Sequence, residues 1–422
     1  MIRLMRKHFW LLMGAMLLVS GCGKEDGFIP TDPAPQPQPD PTPLPAPEQG
    51  DRTVLVYIVA DKNGLETTPP RDFASQDIAE MLEGIKAVDT SRSTLLAYVD
   101  DADEPALYRI AKDAQGNVIQ ELVKAYEEQA STDPVVMSGV LENAFGAYPA
   151  ESYGLVYWSH ADGWIPYPVP KASTRWIGQD KGAGDSRMNL SDFAAVLADA
   201  PHLDFLMFDA CFMLSVEVAY ELRDYVDYYI GSPTENPGPG APYDKIVPLM
   251  FKENAVNEMA EAYFEAYEQI YADGAGISNA NWTGGTSIGV ICVAALERLA
   301  SATRLVMEES AGSDADELRA EVFDYDKRTS SSHVGYYDMQ ELIRKMPANQ
   351  AVLDSWQAVY EEALGYWNTT PLNYSQFSGM FSMERANGIT HYIPSLTKAY
   401  PAAEAYRSTA WYEDAGLSFI GW

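Results

Sequence analysis

A histidine and a cysteine each follow a short apolar run of the sequence. The run YGLVYWSH (153–160) ends in His160, and LDFLMFDA (203–210) stands directly before Cys211. Taken singly, a strand-end histidine is usually a surface group and a cysteine there usually packs. Together they suit nucleophilic catalysis, because an imidazole can accept the thiol proton and the thiolate is the nucleophilic form. The pair predicts a cysteine enzyme with His160 as general base and Cys211 as nucleophile.

Strands and helices alternate around these two residues. Short β-rich runs at 52–61, 93–101, 153–160, 203–210 and 228–232 are separated largely by segments with helical spacing. Such strands, apolar on both faces, are typical of a parallel sheet covered on two sides, so we expect an α/β fold. Ligands of open α/β sheets bind outside the carboxyl ends of the strands, which brings His160 and Cys211 to one edge. We also expect Cys211 to begin a helix, whose amide groups would favour a thiolate.

Other segments extend this pattern. Two runs around Gly116 and Asn117 predict a hairpin, and Asp133 followed by Pro134 predicts the start of a helix. The run TSIGVICVAAL predicts a further strand, and Cys292 inside it is expected to be a buried, unreactive thiol.

Composition and charge restrict the function. The 422 residues are 47% hydrophobic and 12% aromatic, which is enough for a large core. The formal net charge of −32 repels phosphate backbones, so we expect no nucleic acid partner. Only Cys211 and Cys292 follow Cys22, too few for a disulfide framework.

The amino terminus predicts an exported lipoprotein. A basic start and an apolar run from Phe9 to Val19 indicate a signal peptide over 1–21, and Val-Ser-Gly-Cys resembles a lipobox that would be lipidated at Cys22. The Lys-Glu-Asp run that follows resembles a surface-export tag, with a charged spacer as the alternative. Residues 22–50 are then the lipidated cysteine and a Pro-rich linker. We expect an outer-membrane lipoprotein, exposed on the cell surface, with a monomeric head at 51–422.

Several stretches of this head resemble the clostripain family of cysteine peptidases. They include WSHADGW, DFLMFDACFMLSVEVAYELRDYVDYYIGSPTENPGPGAPYDKIVP, TVLVYIVADKNGLE at its start, and GYYDMQELIRKM, GITHYIP and STAWYEDAG near its end. The resemblance implies a caspase-like three-layer α/β/α sandwich with a mostly parallel sheet. Within it we expect a core at about 51–300 and a helical carboxy-terminal part at about 300–422.

The resemblance also implies roles for named residues. His160 would be the general base and Cys211 the nucleophile. Asp209 matches the carboxylate that lines the pocket for the residue before the scissile bond, where it would select Arg or Lys; the alternative is a helix cap. Glu235 is a weaker candidate for a second acid. The backbone N–H groups of Cys211 and Ala161 would form the oxyanion hole, although the family usually has glycine at the second position.

Metal and processing sites are less well defined. The five histidines form no zinc motif, so no cofactor is expected to be required; acids such as Asp100, Asp101 and Asp103 could hold calcium, which some relatives use. A Gly- and Ser-rich stretch could be a self-cleavage loop or a charged surface loop. Its basic residues are Lys171, Arg175, Lys181 and Arg187.

These observations predict a cysteine endopeptidase that cleaves peptides or proteins after Arg or Lys through a thioester. Two alternatives remain open. One is a catalytically impaired, peptidase-like surface lipoprotein that binds peptides or a protein partner. The other is an acyl transfer reaction on the same Cys–His pair.

Overall fold

The computed structural model describes residues 49–65, 72–165, 176–278, 281–328, 333–395 and 401–422, and all of them belong to one compact unit. The predicted signal peptide, Cys22 and nearly all of the linker lie outside the described residues. Lys171 and Arg175 of the predicted processing loop lie outside them as well.

A nine-stranded sheet forms the centre, in the order β12-β10-β9-β8-β5-β1-β2-β3-β4. Its five middle strands are parallel, and the two strands at each edge run antiparallel to their neighbours. The strands are β1 Gly50–Val59, β2 Ser93–Asp100, β3 Ala106–Lys112, β4 Val118–Ala125, β5 Ala150–Trp158, β8 Leu203–Asp209, β9 Val226–Gly231, β10 Ser287–Cys292 and β12 Leu364–Thr369.

Helices cover both faces of the sheet. They are α1 Phe73–Gly84, α2 Pro134–Ala147, α3 Leu190–Ala198, α4 Val216–Glu221, α5 Tyr243–Met250, α6 Val256–Ile270, α7 Leu296–Glu309, α8 Ala315–Glu321, α9 Met339–Arg344, α10 Gln350–Ala363, α11 Pro401–Tyr406 and α12 Ala410–Asp414. Three two-stranded pairs complete the fold: β6 Ile177–Asp180 with β7 Ser186–Met188, β11 Tyr337–Asp338 with β15 Thr390–His391, and β13 Leu372–Ser375 with β14 Gly379–Ser382.

Strand β1 shows why the fold has three layers. Leu55 and Tyr57 pack into one core with α2, α3 and α7, whereas Val54 and Val56 pack into the other with α1, α5 and α6. Because alternate side chains leave opposite faces of a strand, an uninterrupted apolar run must be covered on both sides. The predicted α/β/α sandwich with a mostly parallel sheet is confirmed.

The local predictions hold with two corrections. The hairpin forms as β3–β4, and Asp133 caps α2 by accepting the Val135 N–H at 2.8 Å. However, the carboxy-terminal part is mixed rather than helical, because β12 adds an edge strand to the sheet beside β10. Cys292, on the last residue of β10, is half-buried rather than buried. Among the described residues, every helix is too short or too polar to cross a membrane.

Candidate active site

The order of the parallel strands brings His160 and Cys211 together. Strand β1 has β2 on one side and β5 on the other, so the connections diverge there and leave a crevice at the carboxyl edge. The register of β5 and β8 pairs Trp158 with Asp209. His160 and Cys211 each stand two residues beyond that pair, and both line one cavity of about 410 Å³. The sheet therefore juxtaposes the two residues that the sequence predicts.

Cys211 does not begin a helix, which corrects the sequence expectation. Phe212 has a φ of +58°, and its N–H donates to the Thr234 carbonyl at 2.9 Å. Residues 212–214 thus run beside the segment after β9, and α4 begins only at Val216. A six-residue helix that starts five residues later is too far to stabilise a thiolate, because the dipole effect fades beyond the first turn.

The surroundings of Cys211 instead favour the neutral thiol. Burial, followed by repulsion from Glu235, raises the pKa of Cys211 to about 12. The Asn236 N–H donates to Sγ at 3.3 Å and opposes this shift, as does the positive charge of Arg328. To act as a nucleophile, Cys211 would therefore have to lose its proton to a base.

His160 is held by the loop that follows β1. Its Nε2 lies 3.2 Å from the carbonyl oxygen of Asn63, whose side-chain amide donates to the Val59 and Gln179 carbonyls at 3.0 and 2.7 Å. If Nε2–H donates to this carbonyl, the neutral ring has its lone pair on Nδ1. The loop thus selects the tautomer and the ring orientation.

Ala161 has an ordinary backbone conformation in this structure. It is not among the described non-glycine residues with positive φ, so the absence of glycine causes no strain here. Its neighbours His160 and Asp162 bond across to residues 178 and 176, each at 2.9 Å. Because successive amides of an extended segment alternate in direction, the Ala161 N–H points away from that partner.

An ion pair between Asp162 and Arg328 holds this segment in place, although the two residues are far apart in the sequence. Arg328 is buried and pairs with both Asp162 and Asp326. The Tyr336 hydroxyl donates to the Asp162 carbonyl, and Gly163, at φ +79°, lies so close that a Cβ would meet that hydroxyl at 2.2 Å. The 166 residues that separate Asp162 from Arg328 explain why local sequence patterns did not reveal the pair.

Asp209 lies in the cavity wall and does not cap a helix. One carboxylate oxygen accepts from Asn236 Nδ2 at 3.2 Å, and the other from the Ala241 N–H at 2.7 Å and the Tyr243 hydroxyl at 3.2 Å. Burial raises its pKa to about 6, although these donors oppose the shift. At neutral pH the site therefore holds a buried negative charge.

Two further acids lie behind Asp209, and sequence analysis missed them. Asp77 of α1 is fully buried, and burial together with repulsion from Asp209 raises its pKa well above its usual range. Burial raises the pKa of Glu80 to about 7. A Cβ on Gly240 would come within 3.1 Å of both Asp77 and Asp209, so glycine is needed at 240. The available signal was an acid at 77 between the buried positions 73 and 81 of an amphipathic helix.

Glu235 lines the same cavity but is tied to its wall. The Gln376 N–H donates to its carboxylate at 3.4 Å, and burial raises its pKa. Of the predicted processing residues that are described, Lys181 is exposed, whereas Arg187 bonds to Asp185 at 3.0 Å and stacks on Trp176.

Comparison with known proteins agrees with this fold and site. Residues 56–417 match the clostripain family. Clostripain of Hathewaya histolytica is 27% identical over 223 residues, which are 46% of this chain and 41% of that protein. The match thus spans less than half of the length of this curated relative.

Two solved structures are similar to this chain over most of its length. A secreted C11 cysteine protease from Bacteroides thetaiotaomicron, in complex with an irreversible peptide inhibitor, is 42% identical with a TM-score of 0.78. An inactive zymogen C11 protease from Parabacteroides distasonis is 28% identical with a TM-score of 0.71. Each comparison covers 87% of this chain and 99% of the other.

The fold and the similarities define a caspase-like cysteine-type endopeptidase. The chain belongs to the clostripain family, as its sequence resemblance predicted.

The electrostatics of Cys211 give a first prediction. Glu235→Gln removes a negative charge that raises the thiol pKa, so the pKa of Cys211 should fall and its alkylation at pH 8 should become several-fold faster. Iodoacetamide labelling, followed separately at Cys211 and Cys292 by mass spectrometry, measures this rate. Glu151→Gln, an exposed change at the other end of β5, is the matched control. An unchanged Cys211 rate in Glu235→Gln would contradict the assigned cause.

Proposed function

We propose that the chain is an endopeptidase that cleaves after Arg or Lys, with Cys211 as nucleophile and His160 as general base. The observation that carries the proposal is one cavity lined by Cys211, His160 and the buried carboxylate of Asp209. A thiol, an imidazole and a pocket acid are the groups that acyl transfer from a basic residue requires.

The proposed reaction begins with proton transfer from the Cys211 thiol to His160. The Cys211 sulfur attacks the substrate carbonyl carbon, and the N–H groups of Ala161 and Cys211 donate to the resulting oxyanion. Collapse breaks the C–N bond, while His160 returns the proton to the leaving amine. Water activated by His160 then hydrolyses the thioester and regenerates the thiol.

The acidic pocket links specificity to activation of the nucleophile. A guanidinium or ammonium group of the substrate would pair with Asp209. Its positive charge would then lie near Cys211, whose pKa is raised by burial, Glu235 and Asp162. A basic substrate would therefore lower that pKa as it binds, and a neutral one would leave the thiol protonated.

A second function is favoured by the raised pKa of the half-buried Cys211 thiol. With a pKa of about 12, Cys211 is a weak nucleophile at rest. A protein that binds basic peptides without cleaving them would have the same acidic pocket. The two functions differ in whether Cys211 is consumed and regenerated during turnover.

Reporter peptides separate these functions. The chain should release a fluorophore from peptides with Arg or Lys before the reporter, and Cys211→Ala should abolish release. Asp209→Asn should lower kcat/KM for these peptides about 10- to 100-fold, since a hydrogen bond to a charged group contributes about 1.5–3 kcal/mol. Asp227→Asn, exposed on β9 at the opposite end of the sheet, is the matched control. Cleavage only after Asp or Leu would remove the role of Asp209, and binding without cleavage of any peptide would support the second function.

The pocket carboxylate should also make binding depend on pH. Asp209 has a pKa of about 6 and must be ionised to pair with a cation, so affinity should fall as the pH drops through 6. Agmatine, a small guanidine, should bind the Cys211→Ala protein about 10-fold more weakly at pH 5 than at pH 7. Calorimetric titration of Asp209→Asn should give weak binding with little pH dependence. Equal affinities at both pH values would show that Asp209 does not hold the cation.

The proposed location is the cell envelope, through a lipid on Cys22. The signal-like start and lipobox of the sequence support it, and one similar structure is of a secreted protease. In a bacterial host, the chain should incorporate labelled palmitate and partition into detergent, whereas Cys22→Ala should do neither. Retention of the label by Cys22→Ala would exclude this anchor.

A further inference from the structure

Two aromatic side chains line the proposed catalytic cavity and have no part in the proposed reaction. Trp282 precedes β10 and Tyr374 lies on β13; both are half-buried, and both line the cavity together with Cys211 and Asp209. Their rings meet edge to face, with the ring centroids 5.6 Å apart. We name Trp282 and Tyr374 the aromatic pair.

The aromatic pair is held in a fixed position. The Trp282 indole N–H donates to the Gly285 carbonyl at 2.8 Å, which sets the orientation of the ring. A Cβ on Gly284 would come within 2.8 Å of the Tyr374 Cβ, so the absence of a side chain at 284 lets the two segments approach each other. Rigid aromatic side chains lose little conformational entropy when a ligand packs against them, so such a pair suits binding.

The order of the strands places the aromatic pair on the acyl side of the scissile bond. The neighbouring strands run β5, β8, β9, β10 and β12, and the start of β10 and the end of β12 lie at the same edge as the ends of β8 and β9. His160 follows β5 and would protonate the leaving amine, so we expect the carboxy-terminal part of a substrate toward β5. The acyl part then extends from Cys211 toward β9 and β10, where the aromatic pair lies.

The surroundings of the aromatic pair favour an apolar ligand. Aromatic rings gain free energy when apolar atoms cover them and exclude water. Glu235 lines the same cavity, and its carboxylate accepts the N–H of Gln376, the second residue after Tyr374. An acidic substrate side chain would meet this negative charge, whereas a basic one has its proposed partner in Asp209. An aliphatic or aromatic side chain is therefore the ligand that fits.

We propose that the aromatic pair is a specificity subsite that binds an apolar side chain one or two residues before the basic residue of the substrate. This role rests on the proposed function, since it assumes that Cys211 attacks the bond after the basic residue. Neighbouring strands lie about 4.8 Å apart, so β10 is about 10 Å from β8, which two extended residues of about 3.3 Å each and a side chain can span. The subsite would restrict cleavage to basic residues that follow an apolar one.

Matched reporter peptides test the subsite. Acetyl-Gly-Leu-Arg and acetyl-Leu-Gly-Arg reporters are compared with peptides that have Asn in place of Leu, because Leu and Asn are similar in shape but differ in polarity. In the wild-type chain, kcat/KM should be about 10-fold higher with Leu at one of the two positions, as expected from partial burial of a leucine side chain. Trp282→Ala should remove this preference by slowing only the Leu peptide, and Tyr374→Ala should reduce it.

Two further variants separate contact with substrate from a structural role. Trp282→Phe keeps an aromatic ring without the indole N–H and should retain most of the preference. Trp367→Ala removes a half-buried indole of β12 that lines a different cavity, and it should leave the preference unchanged. Equal kcat/KM with Leu and Asn at both positions in the wild-type chain would overturn the subsite. A preference that persists in both Trp282→Ala and Tyr374→Ala would overturn it as well.

Binding to the Cys211→Ala protein separates the subsite from the proposed function. One of the amides acetyl-Gly-Leu-Arg-NH2 and acetyl-Leu-Gly-Arg-NH2 should bind about 10-fold more tightly than its Asn counterpart by calorimetry, and adding Trp282→Ala should make the two affinities equal. If the wild-type chain cleaves no reporter, the proposed function fails, and the difference in affinity alone decides whether the aromatic pair binds an apolar side chain. Equal or undetectable affinities for the Leu and Asn amides overturn the subsite even where cleavage after Arg occurs.

Discussion

Buried negative charge beside the thiol is the constraint on which this site depends. Asp209 and Cys211 are two residues apart at the end of one buried strand, and Glu235 closes the same cavity. An acid so placed attracts a cation, but it also opposes formation of a thiolate. Burial, followed by the charge of Glu235, raises the pKa of Cys211. In the proposed enzyme, a basic substrate in the pocket would bring positive charge near Cys211 and lower this pKa, so the thiol would be less nucleophilic while the pocket is empty.

The arrangement relies on the sheet rather than on any local motif. Parallel pairing of β1, β5 and β8 puts the ends of three strands at one level, and each end supplies a different part of the site. The loop after β1 supplies the Asn63 carbonyl, the end of β5 supplies His160, and the end of β8 supplies Asp209 and Cys211. A shift of register by one residue would turn each of these groups to the other face, since side chains alternate along a strand. The continuous apolar burial of the strands fixes that register.

Sequence analysis predicted the features that depend on apolar periodicity and on the residues at strand ends. The parallel sheet, the hairpin and the cap of α2 follow from apolar spacing and turn residues, and they fixed the neighbourhood of His160 and Cys211. The start of α4 was misplaced because the turn at Phe212 depends on pairing with residues 232–234, which no local pattern reports. For the same reason the ion pair between Asp162 and Arg328 could not be foreseen. Asp77 was missed because an acid within an amphipathic helix looks like part of its solvated face until the packing of α1 is known.

Some of the acidic residues of this negatively charged chain are buried at the carboxyl edge of the sheet. Asp61, Asp100 and Asp209 all stand where a buried strand ends, so their carboxylates cannot be dispersed into solvent as surface charges are. Each depends on nearby hydrogen-bond donors, a positive partner or a proton. Asp209 lies on the side of α1, and the proposed partner there is the side chain of the substrate. Asp61 and Asp100 lie toward Tyr57, Tyr98 and Ser131 on the opposite face of the sheet. His160 contacts the Asn63 carbonyl in the loop that follows β1, so this loop connects the Asp61 side of the sheet edge to the proposed general base.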